Sequence, residues 1–187
     1  SYGFETPGYI TLTRNNISDS NLKKIHSELK KKIGIPCVIK PSHQGSSIGA
    51  TVLTKSDYAS FENAVLKSFF MQNVTYSAWS ILNKEQQISF VREISDIREG
   101  IGFPLTLKNK KESITILHPE ELLSSLTSIF SKSKENILLE AFDSGSEVLI
   151  QKLLDVEEFC CVVIERRTAN RVESRSREIR KGHTTAY

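Results

Sequence analysis

The 187-residue sequence predicts a mixed α+β fold, mostly antiparallel sheet with helices packed on one side, and three observations carry that expectation. Short runs rich in β-branched residues, PCVIK at 36–40 and ATVLT at 50–54, alternate with segments whose apolar residues recur at helical spacing. Strand candidates follow one another without an intervening helix, both here and again at 136–165, which is the order of antiparallel hairpins. A strand–loop–strand–helix order also recurs. IGFPLTLK at 101–108 echoes IGIPCVIK at 33–40, and TILHPEELLSSLTSIF at 115–130 echoes the run that starts TVLTKSDY at 51. The pattern reads as a structural duplication.

In chain order, GYITLT at 8–13 alternates like a strand. Asp19 or Ser20 is placed to cap a helix whose Leu22, Ile25 and Leu29 share one face, and Gly34 ends it. After the first strand pair, a helix from about Ser56 carries Tyr58, Phe61, Val65 and Phe69 on one stripe. Residues 72–98 differ in character. Their helix begins at Asn83, with Gln86 reaching back to close a capping box, and Ile88, Val91, Ile94 and Ile97 form its expected buried stripe. The helix of the second copy starts with Pro119 at its first position, where a missing N–H costs nothing. NILLEA at 136–141, EVLIQKLL at 147–154 and FCCVVIE at 159–165 are three further strands, the first two joined by the turn DSGS at 143–146. After Glu165 apolar periodicity stops.

A composition of 39% hydrophobic and 25% charged residues supports one ordinary core or two small ones. No run approaches the roughly eighteen apolar residues of a membrane span, and SYGFETPGYI lacks the charged-then-apolar order of a signal peptide. Cys37, Cys160 and Cys161 all lie in apolar strand-like runs without metal-ligand spacing, so they read as reduced core residues of a cytoplasmic protein. From Glu165 onward seven Lys or Arg stand against three Glu, while the remainder holds 18 basic and 19 acidic residues. A nucleic-acid partner would therefore rest on the tail alone, where only Tyr187 is aromatic, and the expectation is a solvated segment with no nucleic-acid partner.

The connection in VIKPSHQGSSIGATVL, residues 38–53, is longer than a hairpin needs and packs no large side chain. It holds Lys40 at its mouth, then Gly45, Ser46, Ser47 and Gly49. Glycines allow positive φ and close approach of the backbone, and successive exposed N–H groups form a concavity that binds anions. That combination reads as a phosphate cradle. The matching connection of the second copy, NKKES at 109–113, is four residues shorter and has no glycine. His43 has no partner at metal spacing.

KPSHQGSSIG, together with VLIQKLLDVEEFCCVVIE at 148–165, resembles the D-alanine–D-alanine ligases of the ATP-grasp superfamily, and TPGYITL at 6–12 is similar to their entry into the ATP-grasp subdomain. The resemblance implies that Lys40 meets the α- and β-phosphates of ATP. It also implies that Gly45, Ser46, Ser47 and Gly49 form a mobile lid over the γ end. Ser46 and Ser47 are then the catalytic candidates, Ser46 through a relay near the substrate amine. At the hinge, the resemblance puts Gln151 and Lys152 at the adenine edge, the backbone of Leu153 and Leu154 on the base, and Glu158 on the ribose hydroxyls, with adenine between two sheets. Four segments follow from it. Residues 1–71 are the first part of the ATP-grasp subdomain, 72–135 an insertion, 136–165 the nucleotide hinge strands, and 166–187 a basic flexible segment leading to a substrate loop.

Two departures stand out. Gln151 occupies a position where the family has glutamate, although its carbonyl oxygen still accepts a hydrogen bond from an amino group. No Glu-x-Asn pair follows the hinge, so the implied Mg²⁺ ligands lie outside this chain, and the chain looks like a central fragment, inactive alone. The implied activity is ATP-dependent ligation of two D-alanines through an acyl-phosphate for peptidoglycan synthesis, by a cytoplasmic enzyme, homodimeric at full length, with no membrane partner. A D-alanine–D-lactate ligase or another carboxylate–amine ligase stays open, as does a non-catalytic α+β interaction module with a basic tail.

Overall fold

Large apolar residues at alternate strand positions and on single helix faces build two separate cores, each closed by a four-stranded antiparallel sheet. The computed structural model describes residues 6–142 and 144–154, and the backbone of 167–168 and 171–172. The chain divides into two units, Ser1–Leu153 and Leu154–Tyr187. In the larger, the order is β1 (Tyr9–Thr13), α1 (Asp19–Lys32), β2 (Cys37–Pro41), β3 (Thr51–Leu53), α2 (Tyr58–Ser68), β4 (Met71–Val74) and α3 (Tyr76–Ser80). It continues with α4 (Lys84–Ser95), β5 (Leu105–Lys108), β6 (Ser113–Ile116), α5 (Pro119–Lys132), β7 (Ile137–Ala141) and β8 (Glu147–Lys152). In the smaller, the described residues form a hairpin of β9 (Arg167–Thr168) and β10 (Arg171–Val172).

The first sheet has the strand order β1-β8-β2-β3 and the second β4-β7-β5-β6, every neighbouring pair antiparallel. The α+β expectation is thus met. Position for position the two orders match: an edge strand, the strand that returns last, the strand after an Ile-Gly-x-Pro turn, and a second edge. Gly34 and Gly102 take φ of +88° and +74° in those turns, and Ile35–Pro36 and Phe103–Pro104 are cis. The whole run β4 to β7 lies in the chain between α2 and β8.

Each helix starts where a side chain satisfies its first orphan N–H groups. Ser18, rather than Asp19 or Ser20, caps α1 by accepting from Asn21 N–H at 3.3 Å, which leaves Asp19 in the first turn to pair with Lys23 at 2.7 Å. Asp57 caps α2, and the capping box of Asn83 and Gln86 closes with both bonds at 2.9 Å. In α4 the buried stripe is shorter than its periodicity suggests. Val91 and Ile94 are buried, but Ile88 is 41% exposed within the helix, and Ile97 is 50% exposed because the helix ends at Ser95 and Asp96 turns into extended backbone. Strand β4 escapes sequence reading altogether. MQNV has no two-residue alternation, and it is a strand because Met71 to Val74 find register with Glu140 to Ile137 of β7.

The first core gathers Leu12, Leu29, Ile39, Phe61, Val65 and Ile150, and the second gathers Leu105, Leu107, Leu122, Leu126 and Leu139 with an aromatic cluster of Trp79, Phe90 and Phe130. Fully burying such a side chain contributes about 1.5 to 3 kcal/mol. Between the two sheets the polar link is Glu140 of β7, whose side chain is 14% exposed. It pairs with Arg14, just past β1, and with Lys108 of β5 at 2.6 Å, while Arg14 also donates to Ser144. Replacing Glu140→Gln leaves two cations sharing one neutral acceptor. The expected result is a loss of about 1 to 3 kcal/mol in unfolding free energy by urea titration; an unchanged midpoint would mean that Glu140 is solvated and not a link.

Candidate functional site

Strand β2 sends Cys37 and Ile39 into the first core and Val38 and Lys40 to the other face. Register places Lys40 opposite Leu149 and Val38 opposite Gln151, so Lys40 and Gln151 share that face at the centre of the sheet. Tyr9 and Val52, which flank it on the edge strands, are 59% and 52% exposed. This face is the open one. Lys152 alternates to the opposite side at the end of β8, where it is exposed and its N–H donates to Gly8 C=O at 3.1 Å. Leu153 and Leu154 are 37% and 47% exposed just beyond, and Glu158 lies outside the described residues. Burial pushes the Cys37 thiol pKa up, as befits a packed core residue rather than a nucleophile.

The loop after β2 is two consecutive tight turns. Ile48 N–H donates to Gly45 C=O at 3.2 Å, enclosing Ser46 and Ser47 at φ of +54° and +56°. Ala50 N–H donates to Ser47 C=O at 3.1 Å, enclosing Ile48 and Gly49 at +72° for the glycine. The first is a turn with both central residues left-handed, normally the place of Asn or Gly, and here it is built from two serines. Each costs about 1 to 2 kcal/mol relative to an unstrained residue. One leg of the loop is tied down by Ser42, whose N–H and hydroxyl both donate to Glu147 C=O at 3.1 Å. At the other leg Ser68, fully buried, donates to Gly49 C=O at 2.9 Å. His43 to Ser47 form an exposed crest between the legs. Among the described residues the N–H groups of Gln44, Gly45, Ser46 and Ser47 meet no acceptor. Such a run of free donors beside a lysine fits an oxyanion, and a phosphate in particular.

The second sheet supplies a comparison inside the same chain. Lys108 lies opposite Leu138 and Thr106 opposite Glu140, so Glu140 takes the place in the second sheet that Gln151 takes in the first. There the carboxylate holds the lysine at 2.6 Å; in the first sheet the neutral amide does not, and among the described residues Lys40 makes no ion pair. Ser42 and Ser68 carry no sequence signal as anchors, since one is a plain loop serine and the other ends a helix. A groove of about 560 Å³ lies elsewhere, between the 109–112 turn and α5, with Lys111, Ser128 and Lys132 on its walls and no residue of the loop.

With this geometry in place, the family comparison falls on the right segment. Residues 1–72 match the family model described as D-ala D-ala ligase C-terminus, a stretch that contains Lys40, both loop glycines and both serines. A D-alanine--D-alanine ligase of Desulforamulus reducens is 35% identical over 49 residues, which is 26% of this chain. The likeness to these ligases expected from the loop is therefore borne out. The chain matches 16% of that relative's length, and no solved structure matches it.

Substitutions at Ser47 test the turn itself. Ser47→Gly removes the left-handed penalty and adds unfolded-state freedom, for a net effect between about zero and 1 kcal/mol in favour of the fold, whereas Ser47→Val costs about 1 to 2 kcal/mol. Chemical denaturation of the two variants decides it; a glycine variant clearly less stable than the valine one would rule the left-handed turn out.

Proposed function

We propose that the open face of the first sheet and the Gly45–Gly49 crest bind ATP in a ligase of the D-alanine–D-alanine type. The reading is supported above all by the crest: inside the segment that matches the family stand two left-handed serines, consecutive N–H groups without an acceptor among the described residues, and a lysine without an ion pair among them. ATP supplies the phosphoryl group that activates the carboxylate of one D-alanine for attack by the amine of a second. Lys40 offers a charge-assisted contact to the α- and β-phosphates, and the crest donates N–H groups and the Ser46 and Ser47 hydroxyls toward the γ end. Gln151, with its amide oxygen toward the base, accepts from the adenine amino group. Lys152 and the backbone of Leu153 and Leu154 line the base, and Glu158 takes the ribose. Mg²⁺ ligands lie beyond these residues, as do the D-alanine contacts. The product serves peptidoglycan in the cytoplasm, and the whole enzyme is a homodimer. Among the described residues no helix is long and apolar enough to cross a membrane.

The two lysines make the experiment. Lys40→Ala removes a contact worth about 1.5 to 3 kcal/mol, or roughly ten- to a hundredfold in ATP affinity, while Lys108→Ala leaves ATP affinity unchanged because its partner is Glu140. Lys108→Ala lowers the melting temperature of the free protein, so the quantity to read is the ATP-induced shift at fixed ionic strength. Equal loss in both variants, or a shift that follows salt and not nucleotide, would remove the ATP reading in favour of an interaction module.

A further inference from the structure

The crest is exposed, yet part of what holds its second leg belongs to the other half of the fold. Ile48 is half-buried and packs against the core of the second sheet, not the first. Phe70, at the junction of α2 and β4, is 2% exposed in that same core and holds φ of +54°, an outlying conformation for a bulky residue. It is fixed there from both sides, its N–H donating to Lys67 C=O at 2.9 Å and its C=O accepting from Ala141 N–H of β7 at 2.9 Å. Its ring edge stands against Gly49, where an added Cβ would lie 3.1 Å from Cζ and 3.0 Å from Cγ of Pro41. Ser68, two residues earlier at the end of α2, donates to the carbonyl of that glycine. A left-handed pair of serines persists only where its surroundings over-determine it. Here Ile48 and Phe70 bring in the second core beside what Pro41 and Ser68 supply from the first half.

We infer that the second core buttresses the phosphate crest through Ile48 and Phe70, and that these two, with Ser68 at the end of α2, are positioning residues that hold the Ile48–Gly49 leg, and through it the left-handed turn, before any nucleotide arrives. The loop is thus pre-set along its second leg. This rests on the nucleotide reading only for its purpose; the buttress itself is a property of the free protein.

Backbone hydrogen exchange on the full chain without ligand tests it. In Ile48→Ala, the amides of residue 48 and Ala50 exchange roughly tenfold or more faster, while Ile39 in the first sheet and Leu107 and Leu139 in the second stay within about twofold of the wild type. Ile48→Val restores the protection. Ser68→Ala, which removes no apolar contact, gives the same local pattern. Unchanged exchange at 48 and 50, or a rise spread evenly over both sheets in both variants, overturns the inference. ATP affinity is read alongside, with a threefold to tenfold loss expected in Ile48→Ala and recovery in Ile48→Val. A wild-type chain that binds no ATP sinks the nucleotide reading and leaves the exchange result standing. ATP binding by the wild type with an unaltered exchange pattern in the variants sinks the buttress and leaves the nucleotide reading standing.

Discussion

Strand β8 pairs with β1 on one side and β2 on the other along nearly its whole length, and the first sheet depends on that double pairing. Without β8, β1 has no neighbour and Ile39 has no Ile150 beside it in the core. The strand also delivers the carbonyl of Glu147, which ties the first leg of the crest through Ser42, and it carries Gln151 to the face of Lys40. Contacts of such long sequence separation are entropically demanding, since everything from Leu53 to Ser146 must be gathered before they close. The crest therefore depends on contacts far along the chain even though its own residues are contiguous.

Much of this architecture is legible in the amino-acid order. Alternation in CVIK and in VLIQ, the capping box at Asn83, the proline opening α5 and the glycine closing α1 are local signals, and local signals survive into the structure. The crest residues are legible for the same reason: glycines and serines beside a strand-end lysine form a pattern in ten residues. Where the sequence is silent, the cause is distant. MQNV becomes a strand through β7, and Ile97 stays exposed because the helix stops before reaching it. Ser68 and Phe70 acquire their roles from a loop some twenty residues upstream, which no window of the sequence joins to them.

The two sheets also show how one substitution changes the use of a shared scaffold. Glu140 and Gln151 occupy corresponding places, each diagonal to a strand-end lysine. With the carboxylate, the lysine is committed to an internal ion pair that also draws in Arg14; with the amide, the lysine makes no ion pair among the described residues.

Met71 lies directly opposite Glu140 in the register of β4 and β7. The chain therefore enters the second sheet and leaves it through adjacent strand ends, about 5 Å apart. The second sheet nevertheless grips the first well beyond that neck, through Ile48 in its core and Glu140 on Arg14, so the junction at Phe70 is a seam at which two cores share one loop.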